Sequence, residues 1–213
     1  MEQRVAAIDI GTHSVKMSVA DGRQVRGDWV AVTRLGDGVS AVGRLDPLAK
    51  QRTRDALAHF VAAARDLGVQ RIAAVGTSAL RDASDGPEFA DEMSMLLGGS
   101  VEILSGDREA WLVFRAVVDD PLFGLERCSG WILTDAGGGS TEVVAGAGRA
   151  LSHRVSLQVG AVRLTEAAGL GGDDPADNTR FDSALKLVDR LLESFPDVGT
   201  VPMIVASGGT ATS

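Results

Sequence analysis

The stretch Asp135-Ala-Gly-Gly-Gly-Ser-Thr-Glu142 follows a short apolar run, residues 131–134, and leads into another strand-like segment. The same order occurs 126 residues earlier, where Asp9-Ile-Gly-Thr-His-Ser14 follows the apolar residues 5–8. Both stretches predict a β-hairpin whose tip offers backbone N–H groups to an anion, because glycine allows φ > 0 and a close approach to a ligand. Two such hairpins, each opening one half of the chain, predict two similar lobes with a phosphate-binding cleft between them.

Charge and cysteine content narrow the class of protein. The 213 residues carry a formal net charge of −8, which argues against general nucleic-acid binding and requires local positive potential at any phosphate site. The single cysteine, Cys128, excludes an internal disulfide framework and suits a reducing compartment, so we expect a cytoplasmic protein. No run of about 18 apolar residues occurs, and Asp9 interrupts the first apolar stretch. The sequence therefore predicts neither a membrane span nor a signal peptide.

Strand and helix patterns alternate along the chain, which predicts an α/β fold. In the first half we expect strands at 15–20, 25–32, 71–75 and 101–104, helices at 51–67 and 87–97, and a third helix opened by Ser105-Gly106-Asp107. In the second half we expect strands at 130–134, 141–146, 150–157 and 201–206, helices at 160–168 and 180–194, and a Gly/Asp-rich loop over 169–178. Five residues of the last helix are predicted to point inward: Phe181, Leu185, Val188, Leu191 and Leu192.

The predicted lobes are 1–124 and 125–213. The sequence stops shortly after the glycine turn Ser207-Gly-Gly-Thr210, which follows the last predicted strand without a further helix. We therefore expect the second lobe to be incomplete at its C-terminal end and the 213-residue form to be marginally stable or inactive.

Six segments in order carry a resemblance to a known family: AIDIGTHSVKMSVAD (7–21), VGTSALRDASDG (75–86), VEILSGDREAWLVFRAV (101–117), TDAGGGSTEVV (134–144), VSLQVGAVRLTE (155–166) and ASGGTATS (206–213). They cover nearly the whole chain, which resembles the exopolyphosphatase / guanosine pentaphosphate phosphohydrolase (Ppx/GppA) family of the actin-like ATPase superfamily. Sugar kinases and chaperone ATPases share the hairpins but not the other segments. This chain departs from the family in having Thr12-His13 in place of Ser-Asn, and Ala136 in place of Ile or Leu.

The resemblance implies a Mg²⁺-dependent hydrolase that uses water to release the terminal phosphate of inorganic polyphosphate or of guanosine pentaphosphate. It also implies that Glu109 is the catalytic carboxylate that orients or deprotonates the attacking water. Taken alone, Glu109 is more readily interpreted as an exposed residue that favours the positive end of a helix.

The other implied site residues are carboxylates and anion-binding groups. Asp9, Asp135 and Glu142 are candidate Mg²⁺ ligands, and Glu142 is also a candidate to assist the water; on an ordinary hairpin each is simply a polar residue. The implied phosphate-binding set is Gly11, Thr12, Ser14, Arg81, Gly137, Gly138, Gly139, Ser140, Thr141, Gly208 and Gly209. For Arg81 alone, a solvated helix-face charge is the alternative interpretation, and for the glycines a plain turn is.

Several alternatives stay open. A kinase of the same superfamily and a non-catalytic binder of polyphosphate or nucleotide alarmone remain the rival functions, and the sequence does not separate polyphosphate from guanosine pentaphosphate. The oligomeric state is undetermined, with a homodimer compatible with the sequence. His13, His59 and His153 are interpreted as structural, and Cys128 has no His or Asp at the spacing that nucleophilic catalysis requires.

Overall fold

The structure, a computed structural model, describes residues 3–170, 178–193 and 195–209. The chain divides into two compact units, Met1–Leu104 and Ser105–Ser213. Strands of the first unit are β1 (Arg4–Ile10), β2 (Ser14–Asp21), β3 (Gln24–Val32), β4 (Arg71–Gly76) and β5 (Val101–Ile103). Its helices are α1 (Val39–Val42), α2 (Pro47–Asp66), α3 (Ser78–Asp82) and α4 (Gly86–Leu97).

The first unit is built on one five-stranded sheet with the order β3-β2-β1-β4-β5. β1 pairs antiparallel with β2 and parallel with β4, which places the hairpin tip 11–13 and the end of β4 at the same edge. Ile8, Ile10 and Met17 are buried in one cluster with residues of α2 and α4. Apolar alternation along β1 and β2 therefore produces a core on the helix side of this sheet.

Helix α2 begins at Pro47, several residues earlier than predicted. Asp46 caps it by accepting a hydrogen bond from the Ala49 N–H at 2.9 Å, and proline suits the first helical position because it lacks an N–H. The Asp-Pro pair was thus a start signal that the sequence-based boundary missed. The helices α1 and α3, and a short 3-10 helix at Leu125–Arg127, were also not predicted.

The second unit contains α5 (Gly106–Val118), α6 (Ala161–Ala167), α7 (Asn178–Leu192), and the strands β6 (Trp131–Ala136), β7 (Thr141–Ala147), β8 (Ala150–Leu157) and β9 (Met203–Ser207). Its four strands form one sheet with the order β8-β7-β6-β9. Helix α5 packs against β7 and β8, and its residues Ala110 and Phe114 share a buried cluster with Leu133 and Val144. On the other face, Val143 and Leu157 pack with residues of α6 and α7.

Contacts divide the chain after Leu104, whereas the sequence led us to place the lobe boundary after residue 124. The difference arises because α5, assigned by sequence to the first lobe, packs on the second sheet.

The predicted inward face of α7 is wrong for three of its five residues. Phe181, Leu185 and Leu192 are 56%, 48% and 41% exposed. The contacting stripe is instead Ala184, which is buried, with Val188 and Leu191. These follow i, i+4, i+7 spacing, so only one edge of the wide apolar face meets the sheet. Residues 171–177 of the predicted loop, and 210–213 of the last family segment, lie outside the described residues.

The two sheets repeat the same irregularity. In the first unit the β2–β3 pairing shifts between Val19 and Ala20, which leaves Arg26 as the extra residue of β3. In the second unit the β7–β8 pairing shifts between Ala145 and Gly146, which leaves Ser152 as the extra residue of β8. Each is a β-bulge, and because side chains alternate along a strand, it changes which residues share a face beyond it.

Among the described residues, the helices are too short or too polar for any of them to cross a lipid bilayer.

Candidate active site

The triple-glycine turn joins β6 to β7. The Gly137 N–H donates to the Ser140 carbonyl at 3.0 Å, and the carbonyls of Gly137 and Gly138 accept from the first N–H groups of α6 at 2.9 Å. The Arg163 guanidinium Nε donates to the Gly139 carbonyl at 2.9 Å. In contrast, the N–H groups of Gly138, Gly139 and Ser140 donate to no acceptor within the part of the chain that the structure describes. The turn therefore has occupied carbonyls and available amides, which is the arrangement of an anion-binding nest.

Gly160 allows this close packing behind the turn. A Cβ at residue 160 would lie 2.4 Å from the Gly138 carbonyl carbon and 2.6 Å from the Gly139 nitrogen. The start of α6 can therefore support the turn only because residue 160 lacks a side chain.

A row of polar side chains crosses the sheet at the turn. Asp135 lies opposite Glu142 in the β6–β7 pairing, Glu142 lies opposite Ser156 in the β7–β8 pairing, and Asp135 lies beside Ser207 of β9. Two residues further from the turn, the same strand positions carry the buried Leu133 and Val144. The sheet face under α5 thus changes from apolar to acidic at the end nearest the available amides.

Glu142 is the buried carboxylate of this row. It is only 2% exposed, and burial raises its pKa from 4.5 to about 7. The negative charges of Glu109 and Asp135 act in the same direction, whereas hydrogen bonds from the Ser156 and Ser140 hydroxyls lower the pKa. Ser156 Oγ donates to Glu142 Oε1 at 2.7 Å. Glu142 is therefore a buried carboxylate whose charge changes near neutral pH, a property typical of functional sites.

The first turn of α5 brings Glu109 to this cluster. Ser105 caps the helix by accepting from the Arg108 N–H at 3.2 Å. Asp107 forms an ion pair with Arg154 of β8, with N–O distances of 2.5 and 2.7 Å, and Arg154 holds the pKa of this carboxyl below its usual range. A Cβ at Gly106 would lie 2.5 Å from Ser156 Cβ, so glycine permits the close approach of this helix to β8.

The turn after β9 lies beside Asp135. Gly208 has φ +91°, and a Cβ there would lie 2.6 Å from Asp135 Oδ1 and 2.4 Å from the Ala136 carbonyl oxygen. Both the backbone conformation and the space require glycine at this position. At Gly209, by contrast, no atom of the described residues lies within 4 Å of where a Cβ would stand.

The first unit repeats the hairpin arrangement. The Gly11 N–H donates to the Ser14 carbonyl at 3.1 Å, the Thr12 carbonyl accepts from Gly36 N–H at 2.9 Å, and the His13 carbonyl accepts from two amides of the loop after β3. The Thr12 and His13 N–H groups have no acceptor within residues 3–170, 178–193 and 195–209. Lys16 lies opposite Asp9, at the place that Glu142 takes in the second hairpin.

Arg81 lies at the end of α3 in the first unit. Its Nη1 donates to the Leu104 carbonyl at 2.9 Å, and its Nε lies 3.7 Å from Asp82 Oδ1. Arg81 therefore already has protein partners within its own unit, and phosphate binding by Arg81 stays a prediction.

The structure thus brings together the predicted residues of the second unit: Glu109, Asp135, Gly137, Gly138, Gly139, Ser140, Thr141, Glu142 and Gly208. Those of the first unit, Asp9, Gly11, Thr12 and Ser14, gather at its own hairpin. Sequence reasoning missed Gly106, Ser156, Gly160 and Arg163. All four lie in segments quoted for the family resemblance: Gly106 in 101–117, and the other three in 155–166, a segment in which no residue was assigned a role.

Asp135 and Glu142 are the carboxylates of the second unit that could hold a cation. No cluster of three or more His, Cys, Asp or Glu side chains suited to a metal ion exists among the described residues. Mg²⁺ commonly needs only one or two carboxylates, because waters and substrate phosphates complete its coordination. The facing pair Asp135 and Glu142 fits that requirement.

Comparison with known proteins agrees with the resemblance. Exopolyphosphatase 2 of Mycobacterium tuberculosis is 36% identical over 95% of this chain and 65% of that protein. The guanosine-5'-triphosphate,3'-diphosphate pyrophosphatase of Photobacterium profundum is 29% identical over 95% of this chain and 41% of that protein. The chain therefore spans less than two thirds of the length of these curated relatives.

Similarity to solved structures supports the predicted fold. The crystal structure of an exopolyphosphatase-like protein matches with a TM-score of 0.89 and 32% identity, covering 98% of this chain and 67% of that chain. MreB5 of Spiroplasma citri, at 13% identity, matches with a TM-score of 0.53 over 98% of this chain and 85% of that chain, which concerns the fold alone. The predicted actin-like ATPase fold is confirmed. Residues 29–211 match the profile of the Ppx/GppA phosphatase family, and the chain belongs to that family.

Proposed function

We propose that this protein is an exopolyphosphatase-type hydrolase that releases the terminal phosphate of inorganic polyphosphate. The observation that carries the proposal is the buried carboxylate Glu142, beside Asp135 and Glu109, at the foot of a turn with three available amides. The exopolyphosphatase relative supports the choice of substrate class.

Different residues of the second unit bind the phosphate and activate the water. The amides of Gly138, Gly139 and Ser140 bind the phosphate oxygens and oppose the charge that develops on them. The Thr141 hydroxyl donates to the Val159 carbonyl, so a phosphate contact from this hydroxyl would require it to leave that partner. Glu109 orients a water molecule and accepts its proton, while the water oxygen forms the new P–O bond and the bond to the remaining polyphosphate breaks. Glu142 is the alternative acceptor of that proton, because its pKa near 7 suits general-base catalysis at neutral pH.

Asp135 and Glu142 are the residues that would hold Mg²⁺. When bound, Mg²⁺ neutralises phosphate charge and polarises the bond that breaks. Burial raises the pKa of Glu142 to about 7. A cation bound beside this carboxyl would lower the pKa again, because a nearby positive charge favours the ionised carboxylate. In the first unit, Asp9 at the end of β1 is the proposed cation ligand of its own hairpin.

In the first unit, Gly11, Thr12, Ser14 and Arg81 are the proposed phosphate contacts. In the second unit, Gly208 and Gly209 are proposed as further phosphate contacts. The protein acts in the cytoplasm, in keeping with its single cysteine, and its negative charge disfavours nucleic acid as a partner. A homodimer is compatible with this function.

Hydrolysis of the terminal 5′-phosphate of guanosine pentaphosphate is the second candidate. It is favoured by the similarity to guanosine-5'-triphosphate,3'-diphosphate pyrophosphatases, including that of Photobacterium profundum. The same turn and carboxylates would act on either terminal phosphoanhydride, because the reacting group is identical.

Phosphate release from long-chain polyphosphate and from guanosine pentaphosphate, each with Mg²⁺ and with EDTA, tests the proposal. We expect Mg²⁺-dependent release from polyphosphate. Release only from guanosine pentaphosphate would select the second candidate. Binding of either compound without release would instead support a non-catalytic binder.

A further inference from the structure

We propose that Ser156 is a positioning residue for phosphate release, whose hydroxyl fixes the orientation of the Glu142 carboxylate. This inference rests on the proposed function and adds to it a residue outside the predicted set. Ser156 lies directly opposite Glu142 in the β7–β8 pairing, and its Oγ donates to Glu142 Oε1 at 2.7 Å. Because Glu142 is 2% exposed, water cannot easily replace a lost donor.

The contact between α5 and β8 is built around the same serine. Gly106, the first residue of α5, packs so closely on Ser156 that a Cβ would lie 2.5 Å from Ser156 Cβ and 2.7 Å from its Oγ. Two hydrogen bonds of the Asp107–Arg154 ion pair hold the first turn of α5 on β8. Glu109 follows in the same turn of α5, so one serine contacts both the helix that carries Glu109 and the side chain of Glu142.

The first unit indicates that the fold does not require this hydrogen bond. Its hairpin and bulge have the same spacing, with Lys16 at the place of Glu142 and Val30 opposite it at the place of Ser156. Val30 is 65% exposed. The same strand pairing therefore forms without a hydroxyl and a carboxylate at these positions, which favours a functional reason for Ser156.

The hydrogen bond from Ser156 to Glu142 should affect kcat rather than KM. The available amides of Gly138 and Gly139 are set by α6 behind the turn, not by Ser156. Loss of the hydroxyl should therefore leave substrate binding intact and lower the rate of the chemical step. A misplaced carboxylate commonly lowers kcat rather than raising KM.

The test measures kcat and KM for polyphosphate in Ser156→Ala, in Glu142→Gln and in the double variant. We expect Ser156→Ala to lower kcat about tenfold with KM unchanged, and to have less than about a twofold effect in the Glu142→Gln background. Ser183→Ala is the matched control, since its exposed hydroxyl also makes one hydrogen bond, to the Thr179 carbonyl at 2.8 Å. An equal loss in both backgrounds, or a Ser156→Ala enzyme that behaves like the control, would overturn the inference.

Gly106→Ala gives a second variant in case Ser156→Ala does not fold. Alanine normally stabilises a helix relative to glycine, so a loss of kcat would come from displacement of Ser156 and α5. We expect the loss of kcat in Gly106→Ala to be smaller in the Glu142→Gln background, as for Ser156→Ala. An equal loss of kcat in both backgrounds would contradict the positioning role of Ser156.

A crystal structure of Ser156→Ala separates this inference from the proposed function. If the wild-type protein releases no phosphate from either substrate, the proposed function fails, and the position of Glu142 alone decides the role of Ser156. A carboxylate that turns away from its wild-type place supports positioning. One that keeps its place refutes it.

Discussion

Replacing Glu142 by glutamine tests the electrostatics of the candidate site without reference to any substrate. Glutamine keeps the size of the side chain and its ability to accept from Ser156, but it carries no charge. In the wild-type protein, burial first and then the charge of Glu109 raise the pKa of Glu142 from 4.5 to about 7. Between these two values the folded protein holds a proton that the unfolded chain has released.

The sign and size of the effect follow from that difference. Because the folded state binds more protons, the free energy of unfolding of the wild type should decrease as the pH rises. The stabilising contribution is complete below pH 4.5 and is lost as the pH rises to about 7. At about 1.4 kcal/mol per pH unit, the loss relative to Glu142→Gln is roughly 3 kcal/mol. The variant should therefore gain stability over the wild type at alkaline pH.

Urea denaturation of both proteins in EDTA, from about pH 5 to about pH 8.5, measures this difference directly. Glu193→Gln is the control, since it makes the same chemical change at an exposed position. If the wild type and Glu142→Gln keep a constant difference within roughly 0.5 kcal/mol over this range, the buried-carboxylate reasoning is refuted.

Three further substitutions test the roles of single residues. Glu109→Gln should lower kcat by about 10² or more with polyphosphate binding nearly intact; a near wild-type kcat would make Glu142 the next candidate base. Gly138→Val should abolish calorimetric binding of a short polyphosphate by a variant whose circular dichroism is native, because the side chain occupies the space of the anion; unchanged affinity would mean that the glycines only form a turn. Gly160→Ala should weaken the same binding at least about tenfold, because a Cβ would lie 2.4 Å from the Gly138 carbonyl carbon although φ −137° suits alanine. Gly99→Ala, whose Cβ would meet no atom closer than 3.7 Å, should bind normally, and equal affinities of the two variants would contradict the supporting role of α6.

Local signals predicted the hairpins and the helix that carries Glu109. Both glycine turns stand between apolar strands, and Ser105 marks the start of α5, so neighbouring residues determine these elements. The resemblance then pointed to Glu109, and burial of Glu142 beside it is a property of the folded sheet.

The partner of Glu142 could not be found by counting along the hairpin. The pairing of Ala147 with Ala150, continued without interruption, would place Val155 opposite Glu142. The bulge shifts the register by one residue and brings Ser156 there instead. A shift of one residue reverses which side chains face the core. The local sequence contains no signal that predicted this bulge. The error in the inward face of α7 is similar, since an amphipathic pattern does not say which edge of an apolar stripe meets the sheet.

The repeated hairpin has a consequence for how this chain came to differ between its halves. Turn, bulge and strand spacing agree between β1–β3 and β6–β8, as expected if one ancestral segment was duplicated. Lys16 and Glu142 then descend from the same codon position. Lysine and glutamate codons differ by one base, so a single nucleotide substitution suffices to reverse the charge at the foot of the turn. Once the copies were free to diverge, one could acquire a carboxylate while the other kept a cation, and neither change altered the strands that carry them.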